Sequence, residues 1–79
     1  MRAYELIDTP EKWSNDVLEI GLHEKHCAYT AILAAYGRGA EGDAVAKRLR
    51  EILGVLSIVS WNDNSNHYTV YATLKENDI

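Results

Sequence analysis

Seven consecutive residues, Trp61-Asn62-Asp63-Asn64-Ser65-Asn66-His67, bring together an indole, a carboxylate, three side-chain amides, a hydroxyl and an imidazole. Such a set supplies the parts of a recognition loop, of half a catalytic or metal site, or of a turn whose amides close local hydrogen bonds, and residue types alone do not choose among these. Read as recognition, Trp61 is an aromatic anchor, Asn62, Asp63, Asn64, Asn66 and His67 present donors and acceptors around it, and Tyr68 or Tyr71 stands nearby. Read structurally, Trp61 packs into the core and its indole nitrogen takes a partner from the neighbouring amides or from Asp63, which also caps the next helix or satisfies loop amides.

Two further constellations involve Cys27, the sole cysteine. His23 and Cys27 are four apart, His26 adjoins, and Asp63 or His67 would complete a tetrahedral set of the nitrogen and sulfur ligands that zinc favours. A lone cysteine without a paired thiol is not a zinc-finger pattern, and a cysteine heading an apolar helix reads first as a small core residue. The other constellation is nucleophilic: Cys27 as thiolate, His67 as base, Asp63 or Asn62 orienting the imidazole. Any short chain with one cysteine and three histidines contains those types, and 79 residues leave little material for a substrate cleft. No metal, cofactor or catalytic residue is therefore expected. The alternative, a small enzyme or metal protein centred on Cys27, His67 and Asp63, stays as the rival reading.

The chain that must position these residues is one domain, too short for a second and with a correspondingly small core. At 47% hydrophobic and 25% charged, with a single proline, it has the composition of a folding globule. Its net charge of −4 argues against a phosphate-binding surface, so no nucleic-acid partner is expected, and its carboxylates are too scattered for a nucleic-acid decoy. The dense basic run, Lys47, Arg48 and Arg50, alternates with Val45, Leu49 and Ile52 and reads as a solvated helix face. One cysteine permits no internal disulfide, which suits a reducing compartment, and no apolar run approaches the roughly 18 residues of a membrane span. The first residues lack the apolar block of a secretory signal, so the expectation is a cytoplasmic protein with no membrane partner, monomeric or a small homo-oligomer.

Thr9-Pro10-Glu11 combines a capping hydroxyl, a proline suited to the first helical position and an acid at the positive end of the dipole. It predicts a helix from Pro10 to about Glu19, with Trp13, Val17 and Ile20 on one face, Gly21 as the stop, and residues 2 to 7 as one preceding helical turn. His26 to Tyr36 reads as a central, alanine-rich helix, in which a large residue at Ala31 or Ala35 should overpack the core by about 1 to 3 kcal/mol. Ala40 to Leu53 carries a stripe of Val45, Leu49, Ile52 and Leu53, with Gly54 where a left-handed cap belongs. Residues 55 to 74 leave two architectures open. Alternation of Tyr68, Val70, Ala72 and Leu74 with their neighbours, after the β-branched run from Leu56 to Trp61, fits a β-hairpin and an α+β protein. Alternatively Ser57 caps a short helix through about Trp61, and Asn66 caps a last helix with Val70, Tyr71 and Leu74 inward.

Across nearly its full length the chain resembles a family of small bacterial and phage proteins of uncharacterised function that carry Trp-Asn-Asp before the C-terminal helix. The resemblance rests on Thr9-Pro10-Glu11-Lys12-Trp13, on Cys27 heading an alanine-rich helix, on Ile58-Val59-Ser60-Trp61-Asn62-Asp63, on Val70 and Leu74, and on the tail Asn77-Asp78-Ile79. Relatives place a polar cap and a histidine three positions before a helical valine, which Asn66-His67 and Val70 match. This chain departs from them in a shorter loop after Trp-Asn-Asp and an abbreviated segment between Trp13 and Cys27. The resemblance implies an all-α bundle of four to five short helices over the hairpin, and it implies no activity.

The expected protein is thus a small, acidic, non-enzymatic interaction module, with a phage inhibitor of a host defence system as one version suggested by size and acidity. Its tentative binding residues are Trp61, Asn62, Asp63, Asn64, Asn66 and His67. Lys47 to Arg50 and the pair Tyr29 and Tyr36 are further candidate contact surfaces that ordinary surface and core roles explain equally well, and Trp13 and Trp61 are expected to line one end of the bundle near Cys27.

Overall fold

The computed structural model describes residues 1–16, 18–20 and 25–79. A 3-10 helix (Ala3–Ile7) and a short 3-10 turn (Pro10–Lys12) precede four α-helices: α1 (Ala28–Tyr36), α2 (Ala40–Leu53), α3 (Ile58–Asp63) and α4 (His67–Glu76). The protein is an all-α bundle, with no strand or sheet among the described residues. Residues 58–63 and 67–74 are helical, so the hairpin expected over residues 55–74 is not formed. Helix wins there because both connections end in working caps: Ser57 Oγ accepts from Ser60 N–H at 3.1 Å and Asn66 Oδ1 from Thr69 N–H at 2.8 Å.

α1 begins at an unusual cap. Cys27 is extended, its Sγ accepts from Thr30 N–H at 3.4 Å, and Thr30 Oγ1 accepts from Cys27 N–H at 3.0 Å, a capping box built with sulfur. α1 ends at Gly37 (φ 90°) and packs chiefly against the first 3-10 helix and α2. α2 starts so close to that end that a Cβ on Gly42 would lie 1.9 Å from the Gly37 carbonyl oxygen, so glycine is required for the two backbones to meet. α2 stops where expected: Gly54 is left-handed (φ 67°, ψ 34°), and Val55 N–H reaches back to Arg50 O at 3.1 Å.

The core contains Ile7, Ala28, Ala31, Ile32, Leu49, Ile58, Val70 and Leu74, with Ile79 buried beside them. On α2 the inward stripe is Gly42, Ala46, Leu49 and Leu53 rather than one running through Ile52. Ile52 lies roughly 80° round the helix from that stripe's centre and is 43% exposed. Of the α4 stripe, Val70 and Leu74 are buried and Tyr71 is half-buried. The last residues fold back: Ile79 N–H bonds Leu74 O at 2.8 Å and Asp78 N–H bonds Lys75 O at 3.1 Å, a Schellman closure with Asp78 at φ 57°. Tyr36 Oη donates to Ile79 O at 2.5 Å, Ala3 N–H donates to the same oxygen, and Arg2 pairs with Asp78 at 3.0 Å.

The predicted helix from Pro10 to Glu19 is not present. After the turn at Pro10–Lys12, Trp13 is extended and pairs with His26 in a parallel bridge, His26 N–H donating to Lys12 O at 2.9 Å and Ser14 N–H to His26 O at 3.1 Å. Short polar side chains then compete with helical bonding. Ser14 Oγ accepts from Asp16 N–H at 2.9 Å and donates to Glu19 at 2.8 Å, while Asp16 Oδ1 accepts from Leu18 N–H at 2.9 Å. Val17 and Gly21, assigned to that helix, lie outside the described residues.

Candidate functional site

α3 places Ile58 and Asn62 one turn apart on the same inward face, at 3% and 0% exposure. That phase fixes the role of the polar segment. Asn62 Oδ1 accepts from Trp13 Nε1–H at 2.8 Å and from Ala28 N–H at 2.9 Å, and Asn62 Nδ2 donates to Ser14 O at 3.2 Å. Two N–H donors on one side and a carbonyl on the other leave a single sensible orientation of the amide. Asn62 therefore ties the extended Trp13-Ser14 segment and the first turn of α1 to α3. It is buried away from any partner, which removes it from the tentative binding set.

The neighbours divide by the same geometry. His67 Nε2 lies 2.7 Å from Ile7 O; a carbonyl only accepts, so the imidazole carries its proton on Nε2 and donates. The ring stacks on Tyr71 with centroids 5.8 Å apart and meets the edge of Trp13 at 6.1 Å. Asn66 caps α4, and Asn64 Nδ2 donates to Ser60 O at 2.9 Å at the end of α3. Ser65 Oγ donates to Trp61 O at 2.7 Å. Asp63 is exposed and its backbone oxygen accepts from Asn15 Nδ2 at 3.5 Å, so Asn62, not Asp63, is the network acceptor and Asn66 is the cap. Trp61 is half-buried against the core, as is Trp13, and it is Trp13 whose indole nitrogen takes a partner from this segment. Trp13 meets Asn62 beside Ala28, the residue after Cys27.

Cys27 is 2% exposed and its thiol caps α1 through Thr30, while His67 is held by Ile7. No group of three or more His, Cys, Asp and Glu side chains converges among the described residues, and His23 lies outside them.

A surface corner that the segment's chemistry does not signal exposes aliphatic side chains. Leu56 is 98% exposed, Val59 41% and Ile52 43%. Leu56 separates two open grooves that share Arg50 as a wall. One, of about 210 Å³, is lined by Tyr29, Ser57, Ile58 and Val59; the other, of about 430 Å³, by Lys47, Glu51, Gly54 and Val55. The available signal was positional: Leu56 stands between the left-handed cap at Gly54 and the N-cap at Ser57, where a connecting residue has no helix to carry it into the core. Of the other surfaces anticipated, Tyr36 is committed to Ile79, and Arg48 donates to Asn77 O at 2.6 Å. Tyr29 and Arg50 both reach this corner. No helix among the described residues is long and apolar enough to cross a membrane. Comparison of the chain with protein-family models, with curated proteins and with solved structures gives no match.

Proposed function

We propose that this chain is a non-enzymatic protein-interaction module that engages its partner through the corner formed by the end of α2, the connection from Gly54 to Ser57, and α3. The observation that carries the reading is Leu56, a large aliphatic side chain at 98% exposure with Tyr29 and Val59 in the adjoining groove. A single exposed apolar residue is ordinary, but an apolar knob beside a groove of mixed polarity, lined by Tyr29, Val59 and Arg50, has the anatomy of a contact surface. The inward commitment of Cys27, Asn62 and His67 supports the same reading, since each chemically capable side chain there has a structural bond. In its specific version, suggested by small size and acidity, the module works in the cytoplasm of a bacterium or phage-infected cell on a host defence protein.

Affinity capture from bacterial lysate by the wild-type chain and by Leu56→Ser tests this. The wild type should retain a protein that Leu56→Ser retains about tenfold less, with both chains equally helical by circular dichroism. Retention of nothing by the wild type, or of the same protein equally by both, would contradict it.

A further inference from the structure

Resting on the corner as the contact surface, the geometry points to the class of its partner: an acidic amphipathic helix of another protein, seated across Leu56. The shape argues for a helix. No strand edge is offered among the described residues, so main-chain augmentation has no template. Leu56 instead stands as a knob between two grooves, and apolar residues at positions i, i+3, i+4 and i+7 of a facing helix form the hole that receives such a knob. The residues on either side of that hole then fall into the two grooves, one against Tyr29 and Val59, the other against Val55.

Charge selects the sign. Arg50 is half-buried, walls both grooves, and makes no ion pair among the described residues. Lys47 and Glu51 line the second groove together and pair at a loose 4.0 Å, with both side chains largely exposed. A half-buried guanidinium side chain is suited to bidentate recognition of a carboxylate as water leaves the contact. On a protein of net charge −4, these two cations outnumber the one carboxylate of the groove, Glu51, so the corner favours an acidic helix over a basic one.

The test is an NMR titration of the full-length 15N-labelled chain with synthetic helical peptides of about 14 residues. One carries leucine at i, i+3, i+4 and i+7 flanked by glutamates; its counterpart carries lysine at every glutamate position. The glutamate peptide should shift amides of residues 50, 54 to 56 and 59, and bind at least about tenfold more tightly than the lysine peptide. Leu56→Ser and Arg50→Glu should each weaken the glutamate peptide about tenfold, with spectra that otherwise overlay the wild type. Equal binding of the two peptides, no binding of either, or shifts confined to other surfaces would overturn the inference. So would concentration-dependent shifts of the corner in the free protein, which identify a second copy as occupant. Lysate capture separates this from the parent reading. Leu56-dependent capture that is indifferent to Arg50→Glu leaves the contact surface standing and removes only the acidic helix.

Discussion

At the scale of single residues, two adjacent side chains with related chemistry have opposite roles because successive helix positions lie roughly 100° apart. Asn62 faces the core with Ile58, and Asp63 faces water. Replacing Asn62 with alanine strands Trp13 Nε1–H, Ala28 N–H and Ser14 O, at an expected cost of about 2 to 4 kcal/mol, a large share of the stability of so small a domain. Asp63→Asn should stay within about 0.5 kcal/mol. Equilibrium urea unfolding of the two variants checks the pair, and equal losses would mean that Asn62 is not the organising residue. The density of chemistry from Trp61 to His67 was legible in the sequence; the direction of each side chain was not. It became so only once Ser57 was taken as the cap of α3, since a first-turn Ile58 then brings Asn62 to the same face. Leu56→Ser should leave stability within about 0.5 kcal/mol of wild type, because that residue touches water and not the core.

At the scale of elements, the extent of α2 and the cap at Gly54 were legible, because a helical run and a left-handed glycine are local signals, but the inward stripe was not, since Ala46 and not Ile52 faces the core. Gly42 was not. Its requirement arises from the Gly37 backbone five residues away, an approach that no propensity encodes. Gly42→Ala should destabilise by about 1 to 3 kcal/mol through overpacking against a carbonyl, measurable as a fall in thermal midpoint, whereas Ala44→Ser on the exposed side of the same helix should change little. The segment from Pro10 to Glu19 shows the converse failure. Its helix-start signals are real, since Pro10–Lys12 does form a turn, but Ser14 and Asp16 divert the following amides and the Trp13–His26 bridge holds the chain extended. At that turn the carboxyl of Glu11 is held below its ordinary range, first by its own backbone amide and then by the Thr9 hydroxyl. A depressed folded-state value means that this contribution is present above the unfolded pKa and is lost as pH falls through the folded one. NMR titration should therefore find Glu11 with a midpoint below an ordinary glutamate, and Thr9→Val should move it upward; a wild-type midpoint at or above the ordinary value would exclude the contact.

For the molecule as a whole, a radius of gyration of 11.1 Å matches the roughly 11.6 Å expected of a compact chain of this length. Asn62 links three separated segments, His67 ties α4 to the first 3-10 helix through Ile7, and Ile79 is gripped by Tyr36 and Ala3. These long-range bonds turn Asn62 inward and hold His67 half-buried, and leave an aliphatic corner outward. The sequence could not rank those two surfaces, since composition places amides outside and leucine inside, and here Asn62 and Leu56 reverse that assignment. The most direct test is a hydrogen-exchange footprint of the complex formed with the captured partner. The account predicts protection at residues 50 to 59, spanning the end of α2 and the start of α3, with exchange at residues 63 to 67 unchanged. Protection confined to residues 63 to 67 would contradict it and return the function to the polar segment.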